Sequence, residues 1–267
     1  MKHQARKRFG QNFLVDQGAI AAIIAAIRPA PGECLVEIGP GQGALTRPLL
    51  AAAGKLHAIE IDRDLAQGLQ TEFGVRLDLH AVDVLQFDFA TLGDGLRVIG
   101  NLPYNISTPL LFHLADCTER IRDIHVMLQK AVVERRVAAP GDSNSGRLTV
   151  MLQYRFEMEK LLDVPAAAFD PVPKVDSAVI RLMPLRPRPC VAHDEVFFAS
   201  LVVAAFSQRR KTLRNSLRKF IAGPAFDTLG IAPTARAQEL SVAQFVALAD
   251  YAGENMAKDS PEKRPPG

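Results

Sequence analysis

The sequence predicts an α/β protein, in which a mostly parallel sheet has helices on both faces and a smaller all-helical domain follows it. Two observations predict the sheet. Short apolar runs alternate with helical patterns between residues 34 and 138, and a glycine-rich loop follows the first run. Such alternation is typical of right-handed βαβ crossovers. A third observation predicts the second domain: beyond a stiff linker with Pro184, Pro187 and Pro189, the apolar pattern is wholly helical.

The first helix is expected at residues 19–27, with Asp16 as its N-cap and Pro29 as its stop. Its isoleucines fall on one helical face: Ile20, Ile23, Ile24 and Ile27. The basic residues before it suggest a signal peptide as the alternative. The apolar run is short, however, and polar residues separate it from the charges, so a core helix is favoured. No run approaches the ~18 apolar residues of a membrane span, and we expect a cytoplasmic protein with no membrane partner.

The remaining elements alternate along the chain. Parallel strands are expected at residues 34–38, 56–61, 76–82, 96–99 and 124–128, and two antiparallel strands at 156–164 and 177–183 close the sheet. Helices are expected between them at residues 44–53, 64–73, 109–115 and 131–138. Residues 139–146 are expected to form a polar loop, and only residues 147–154 are ambiguous, because they fit either a helix or a strand. The second domain has apolar helical faces at residues 198–206 and 213–221 and a last helix at 242–251.

These elements suggest three regions of the chain. We expect a domain at residues 1–185 built around the sheet, a helical domain at 190–255, and a charged, proline-rich, disordered tail at 256–267. With 267 residues, 48% of them hydrophobic, the chain can bury a full core. Its three cysteines are odd in number and widely spaced, which indicates a reducing compartment and neither disulfides nor a zinc site. Histidines are also sparse, so we expect no metal.

A binding crevice is predicted at the carboxyl ends of the strands, where open α/β sheets bind ligands. Gly39 and Gly41 let a ligand approach the backbone closely, and their loop opens a helix whose N-terminus faces it. Glu60 ends the second strand and is placed to accept hydrogen bonds from both hydroxyls of a ribose. Asp83 ends the third strand and is placed to accept a hydrogen bond from an adenine amine. By itself this pattern suits nicotinamide and flavin cofactors as well as S-adenosylmethionine.

The run Asn101, Leu102, Pro103 and Tyr104 follows the fourth strand. It offers an amide side chain, a backbone carbonyl fixed by proline, and an aromatic face. These groups suit a planar ring that carries an amine, with two acceptors for its N–H bonds and one surface for stacking. The alternative is an ordinary turn with a buried tyrosine. Because this run and the two carboxylates end neighbouring parts of one sheet, we expect them to share the crevice.

Two basic clusters suggest contacts with nucleic acid. The net charge is only +3, so such a partner must be argued from local sequence. The first cluster precedes any acidic residue: Lys2, Arg6, Lys7 and Arg8. The second holds six basic residues without one acid: Arg209, Arg210, Lys211, Arg214, Arg218 and Lys219. If this segment is a helix, Arg210, Arg214 and Arg218 are one turn apart with the leucines inward. A charge run is usually a solvated face, but two acid-free runs favour phosphate contacts.

Five motifs together resemble the bacterial small-subunit rRNA adenine-N6 dimethyltransferases, the KsgA or RsmA family. The loop motif and the asparagine motif are shared with a related branch that methylates large-subunit rRNA. The last motif, which is similar to the C-terminal helix of the housekeeping branch, is not shared with it. The resemblance runs from Arg6 to about Tyr251. The motifs are residues 6–14, 37–46, 101–104, 169–177 and 206–217.

The resemblance implies a Rossmann-like class I methyltransferase sheet with a small all-helical C-terminal domain. The implied cofactor is S-adenosyl-L-methionine. The implied reaction converts two adjacent adenosines, in a hairpin loop near the 3′ end of 16S rRNA, to N6,N6-dimethyladenosine, late in small-subunit biogenesis. The partner is then small-subunit rRNA within the small ribosomal subunit, and we expect a monomeric enzyme.

The resemblance also assigns roles to residues. Position by position, it implies a cofactor site lined by Asn12, Leu14, Gly39, Glu60, Asp83 and Asn101, to which the loop adds Gly41. Asn101 and the carbonyl of Leu102 or Pro103 would accept the two N–H bonds of the target amine, so that its nitrogen can pyramidalise. Tyr104 would stack on the flipped base, and Phe169 would cover the other face of the base. The alternative for Phe169 is an ordinary core phenylalanine.

Two other classes of function compete with this interpretation. The glycine loop alone suits an NAD-dependent oxidoreductase, but that function explains neither the asparagine motif nor the basic clusters. A ribosome-assembly or RNA-binding factor on a methyltransferase scaffold explains the basic clusters without catalysis. The intact loop and asparagine motif argue against binding alone.

Overall fold

A central sheet of seven strands organises the computed structural model, which describes residues 11–103, 106–137, 145–208, 210–221 and 224–259, without the side chains of residues 136 and 256–259. In chain order the strands of the described residues are β1 (Phe13–Leu14), β2 (Leu35–Ile38), β3 (Leu56–Ile59), β4 (Leu77–His80), β5 (Leu96–Asn101), β6 (Ile121–Gln129), β7 (Phe156–Val164), β8 (Phe169–Asp170) and β9 (Ser177–Pro184). The order across the sheet is β4-β3-β2-β5-β6-β9-β7. The prediction of a mostly parallel sheet is confirmed: β4, β3, β2, β5 and β6 are parallel, and β9 is antiparallel to β6 and β7.

The sequence of the central strands explains their position. All four residues of β2 are buried, because helices cover both faces of a parallel sheet and such strands are continuous apolar runs. Helices alternate with the strands: α1 (Gln17–Ile27), α2 (Thr46–Ala53), α3 (Arg63–Phe73), α4 (Ser107–Asp116), α5 (Lys130–Arg136) and α6 (Arg147–Gln153). The later helices are α7 (Glu195–Phe206), α8 (Leu213–Ser216), α9 (Pro224–Thr228) and α10 (Val242–Asp259). α1 begins as expected, since Asp16 accepts a hydrogen bond from Ala19 N at 2.7 Å.

The chain divides into two compact units. The first holds Met1–Val137 and Arg155–Pro184 and contains the whole sheet. The second holds Ala138–Tyr154 and Leu185–Gly267. α6 therefore belongs to the second unit, whereas the sequence placed residues up to 185 in one domain. The reason lies in its apolar positions, because Val150 and the following Tyr154 are buried in a core with α7 and α10.

The ambiguous segment and the C-terminus are now assigned. Residues 147–153 form a helix. α10 extends to Asp259, so the predicted tail begins too early: residues 256–259 continue the last helix. Residues 260–267 lie outside the described residues. No helix in the described part of the chain is both long and apolar enough to cross a membrane.

A buried arginine ties the first unit together, and no sequence pattern predicted it. The side chain of Arg97, on β5, is 6% exposed and lies 3.0 Å from Asp123 Oδ1. It also pairs with Glu33. A third bond reaches the C-terminal end of α1, where Arg97 Nη2 donates to the Ile27 carbonyl at 2.7 Å. Burial acts to raise the pKa of Asp123, but hydrogen bonds from His125 and Arg97 outweigh it and lower that pKa. The arginine thus joins a helix end to two strands.

Candidate active site

The candidate site is a crevice at the carboxyl ends of β2, β3, β4 and β5. Every sequence-predicted cofactor residue lines it: Asn12, Leu14, Gly39, Gly41, Glu60, Asp83 and Asn101. From the asparagine motif, Leu102 and Pro103 also line it, as does Phe169. Tyr104 lies outside the described residues. The structure therefore brings together the polar residues from three strand ends in the first unit, which is the position that the topology of an open α/β sheet favours for a ligand.

The glycine loop shapes one side of the crevice. Gly39 and Gly41 have φ angles of 65° and 59°, a left-handed backbone conformation that residues other than glycine rarely adopt. A Cβ at Gly41 would also lie 3.2 Å from the ring of Phe13. The loop is fixed to the end of β3, because Gly39 N donates to the Ile59 carbonyl at 2.9 Å. Glycine at these two positions lets the loop adopt this conformation without strain and, at residue 41, without a clash with Phe13.

Glu60 fixes the loop to the end of β3. It is 5% exposed, and its two oxygens accept from different backbone groups. Oε2 accepts from Gly41 N at 3.2 Å and Oε1 from Asp62 N at 2.9 Å. Burial raises the pKa of Glu60, although these N–H bonds act to lower it. Since a carboxylate has about four lone-pair positions, these bonds leave acceptor capacity for a ligand.

Asp83 has a structural role beside its place in the crevice. Its Oδ1 accepts from Leu85 N at 3.0 Å and so caps a short turn after β4. Asp88 makes the same type of cap, accepting from Ala90 N at 2.9 Å, but it does not line the crevice. Both aspartates are therefore caps, and only Asp83 also lines the crevice.

The front of the crevice is built from chain segments distant in sequence. β1 and β8 form a separate antiparallel pair, in which Leu14 lies opposite Phe169. Both residues are buried, at 5% and 3% exposure, and both belong to the core of the first unit. Phe169 is therefore a core residue whose position also makes it part of the crevice lining. The two roles proposed for it do not exclude each other.

Asn101 ends β5 with its amide in a defined orientation. Its Nδ2 donates to the Asn12 carbonyl at 3.1 Å, and a carbonyl can accept only from the nitrogen end of the amide. This orientation makes Oδ1 the acceptor end, and no group in the described part of the chain donates a hydrogen bond to it. Next in the chain, Leu102 N donates to the Met127 carbonyl at 3.3 Å, and the Pro103 carbonyl accepts from Ile106 N at 3.2 Å.

Gly100 lets β5 approach β2 closely. A Cβ at Gly100 would lie 2.9 Å from the Ile38 carbonyl oxygen and 2.9 Å from Leu102 Cδ2. Contacts that short do not occur, and the backbone oxygen cannot move cheaply. The sequence analysis did not single out this glycine, although its position just before the asparagine motif is a signal of close backbone approach within a strand.

Glu37 is a second buried carboxyl group that the sequence analysis gave no role. It lies inside β2, is 2% exposed, and accepts from Thr46 Oγ1 at 2.7 Å. Burial raises its pKa to about 7; the hydrogen bond from Thr46 opposes this shift, and the nearby Glu60 reinforces it. The sequence could have indicated this buried carboxyl group, because Glu37 is the one acidic residue in the otherwise apolar strand β2. Buried acidic residues are rare and are usually paired.

The second basic cluster is exposed in the second unit, but it is not helical throughout. Arg210, Lys211, Arg214, Arg218 and Lys219 are all exposed, and none makes an ion pair with another described residue. The expected helix is wrong, because α8 spans only Leu213–Ser216. Leu213 N donates to the Ala235 carbonyl at 2.8 Å. This backbone N–H is therefore bonded to a segment distant in sequence and not to the carbonyl four residues earlier, as it would be inside a longer helix. The inward positions are as expected, with Leu213, Leu217 and Ile221 buried. Arg6, Lys7, Arg8 and Arg209 lie outside the described residues.

A parallel sheet of this order, with an antiparallel last strand and a glycine loop after β2, defines a class I methyltransferase fold. The family model described as "Ribosomal RNA adenine dimethylase" matches residues 2–254. The chain belongs to this family. The membership excludes the oxidoreductase alternative, which rested on the glycine loop alone.

Individual relatives agree with the family. The chain is 58% identical over 250 residues to "Ribosomal RNA small subunit methyltransferase A" of Thiobacillus denitrificans, covering 93% of this chain and 98% of the relative. It is 56% identical over 251 residues to the protein of the same name in Aromatoleum aromaticum, covering 94% and 95%. Among solved structures, a dimethyladenosine transferase from Plasmodium falciparum superposes with a TM-score of 0.77 at 25% identity, covering 90% and 98%. The 23S rRNA methyltransferase ErmE superposes with a TM-score of 0.72 at 26% identity, covering 91% and 100%.

Proposed function

We propose that the chain uses S-adenosylmethionine to dimethylate N6 of two adjacent adenosines near the 3′ end of 16S rRNA, in the small ribosomal subunit. Family membership supports the adenine dimethylation, and the names of the relatives support the small-subunit substrate. The observation that carries the mechanism is the orientation of Asn101, which lines the crevice with the glycine loop and whose Oδ1 has no donor among the described residues.

The crevice fits an adenosyl group. Glu60 is nearly buried at a strand end and retains acceptor capacity for the hydroxyls of a ribose. Asp83 uses Oδ1 as a cap and retains Oδ2 for an exocyclic amine. Ile61, Val82 and Val84 provide apolar walls for a flat ring. S-adenosylmethionine supplies an electrophilic methyl group on a sulfonium sulfur when it is bound.

The chain itself would position the target amine. An adenine amine is a poor nucleophile because its lone pair is delocalised into the ring. Asn101 Oδ1 would accept one N–H bond and a backbone carbonyl the other, so that the nitrogen becomes pyramidal with its lone pair free. The Pro103 carbonyl already accepts from Ile106 N, which favours the Leu102 carbonyl as the second acceptor. The same two oxygens stabilise the positive charge that grows on nitrogen during transfer.

Aromatic faces would hold the flipped base. We assign Tyr104 to one face and Phe169, at the edge of the crevice, to the other. Stacking of this kind contributes ~1–3 kcal/mol per base. No strong general base is required, because the ammonium product loses its proton readily to water.

Phosphate contacts would come from the two basic clusters. The exposed arginines at 210, 214 and 218 have no carboxylate partner among the described residues and lie in the second unit. We therefore assign RNA binding to that unit, in which Arg209 and Lys211 belong to the same cluster. We assign further phosphate contacts to the N-terminal cluster, Arg6, Lys7 and Arg8. A purely binding function in ribosome assembly remains the alternative, and the oriented Asn101 argues against it because binding alone needs no amine acceptor.

The decisive experiment is methyl transfer from labelled cofactor to small subunits that lack the modification, followed by mapping of the modified nucleotides. Wild type should modify two adjacent adenosines, and Asn101→Ala should lower turnover by orders of magnitude while keeping the far-UV circular dichroism spectrum of the wild-type fold. Asn255→Ala is the matched control: Asn255 also donates from Nδ2 to a backbone carbonyl, that of Tyr251 at 2.7 Å, but in α10. Near-normal methylation by a folded Asn101→Ala protein would contradict the mechanism.

A further inference from the structure

A cluster of potential metal ligands lies on β3 and β4, outside the residues that line the crevice. The two strands are parallel neighbours, with His57 opposite Asp78 and Ile59 opposite His80. Residues that are paired across parallel strands, or two apart along one strand, project from the same face of a sheet. His57, Asp78 and His80 therefore share one face at the edge of the central sheet.

The ligand atoms of these side chains converge. Asp78 Oδ2 lies 3.1 Å from His57 Nδ1 and 3.9 Å from His80 Nε2. All three atoms lie within 4.8 Å of one another. With Zn–N and Zn–O bonds of about 2.0–2.1 Å, ligand atoms in a tetrahedral site are separated by about 3.3 Å. Only a small approach of His80 would therefore be needed to enclose an ion.

The two imidazole nitrogens are also unsatisfied. His57 Nδ1 and His80 Nε2 are buried atoms with no hydrogen-bond partner in the described ranges of the chain. Although Asp78 Oδ2 is near both, neither contact has hydrogen-bond geometry. Buried polar atoms without partners are uncommon and cost stability. Two such nitrogen atoms within 4.8 Å of each other and of a carboxylate oxygen form a ligand set that suits a metal cation.

We propose that His57, Asp78 and His80 bind a divalent transition-metal ion of the zinc class. Two imidazoles and one carboxylate suit Zn²⁺, Co²⁺, Ni²⁺ or Cu²⁺, whereas Mg²⁺ and Ca²⁺ prefer ligand sets made of oxygen alone. The Asp78 side chain is 64% exposed, so an ion has a path of entry and water can complete its coordination.

The position of the site gives the ion a structural role. β4 is the edge strand of the sheet, and the ion would link it to β3 through side chains in addition to the backbone bonds. His80 also bears the carbonyl that accepts from Glu60 N at 3.0 Å. The ion would thus brace the strand ends that carry the crevice. This site is independent of methyl transfer and does not rest on the proposed function.

The test uses the full chain without an affinity tag, because histidine tags bind the same ions. After treatment with a chelator, the protein is titrated with Zn²⁺ by calorimetry and with Co²⁺ by visible absorption. Wild type should bind one ion at this site, and saturation with Zn²⁺ should raise the melting temperature by several degrees. Asp78→Asn and His57→Gln should each weaken binding about tenfold or more.

His113→Gln is the matched control. His113 Nε2 lies 2.9 Å from the Phe87 carbonyl and is not one of the converging atoms, so this variant should bind like wild type. Asp78 is exposed, so Asp78→Asn decides the question even if the histidine variants do not fold. The proposal is overturned if wild type binds no stoichiometric ion. It is equally overturned if Asp78→Asn, or the His57→Gln/His80→Gln double variant, binds as tightly as wild type.

Discussion

Glu37 makes a prediction whose magnitude follows from its burial. In the native protein burial raises the pKa of this carboxyl to about 7, from an ordinary value of 4.5. Between these two pH values the folded chain retains a proton that the unfolded chain has lost. The folded state therefore becomes less stable as the pH rises from 4.5 towards 7, and the loss is complete above pH 7. At 1.36 kcal/mol per pKa unit, the loss amounts to about 3 kcal/mol.

Replacing Glu37 by glutamine removes this titration without changing the size of the side chain. The amide oxygen of the new side chain can still accept from Thr46 Oγ1, which donates to Glu37 at 2.7 Å in the native protein. Slightly less than ~1 kcal/mol of the loss has already occurred at pH 5. Between pH 5 and pH 8 the Glu37→Gln protein should therefore gain about 2.5 kcal/mol of stability relative to wild type.

The assay is urea unfolding at a series of pH values from 5 to 8, followed by far-UV circular dichroism because the chain has no tryptophan. Groups distant from residue 37 titrate equally in both proteins, so the difference between them isolates Glu37 together with its coupling to Glu60. Both are measured without cofactor, because Glu37 lies against the crevice. A difference that stays constant from pH 5 to pH 8 would refute the raised pKa. A difference that shrinks as the pH rises would refute its sign.

Three further predictions concern the cofactor, the core and the RNA. Asp83→Asn should weaken S-adenosylmethionine binding in calorimetry and Asp88→Asn should not, because both keep Oδ1 for the turn cap and replace only Oδ2 by an NH2 donor. Arg97→Ala should lower the free energy of unfolding by about 3–5 kcal/mol in urea, since it leaves the buried Asp123 without its arginine partner. The Arg210→Gln/Arg214→Gln variant should bind small-subunit RNA more weakly and flatten the slope of log K against log salt by about one to two units.

Each of these has an outcome that contradicts it. Equal cofactor affinities for the two aspartate variants would remove Asp83 from the site. An unfolding free energy within ~1 kcal/mol of wild type would show that Arg97 does not join α1 to the sheet. For the RNA variant the control is Lys55→Gln/Arg76→Gln, which removes the same charge from exposed positions of the first unit. If both double variants have the same salt slope, the cluster is only a solvated face.

The order of elements could be predicted because local patterns specify it. Buried parallel strands are continuous apolar runs, and helices repeat their apolar residues every three or four positions. The predicted strands were nevertheless too long at their carboxyl ends: residues 56–61 became Leu56–Ile59, and 76–82 became Leu77–His80. The chain therefore leaves the sheet earlier than predicted, at Glu60 after β3 and just before Asp83 after β4, and these segments line the crevice.

The rest depends on contacts between distant segments. The orientation of Asn101 comes from a carbonyl at residue 12, and the short α8 results from a bond to Ala235. A residue pattern along the chain contains no information about either partner. The same applies to His57 and Asp78, which only the register of β3 against β4 brings together. Sparse histidines therefore gave no reason to expect a metal site.

The pairing of β1 with β8 has a consequence for the order in which the protein is made. Leu14 lies opposite Phe169, and Val15 N donates to the Ala168 carbonyl at 2.9 Å. During synthesis the N-terminal strand emerges first, and its partner leaves the ribosome only after nearly the whole first unit. A nascent chain can form β2 to β5, with the glycine loop and Glu60, while the front of the crevice is still missing. Closing so long a loop comes late in folding, so a chain stopped before residue 169 would have a sheet but no finished crevice.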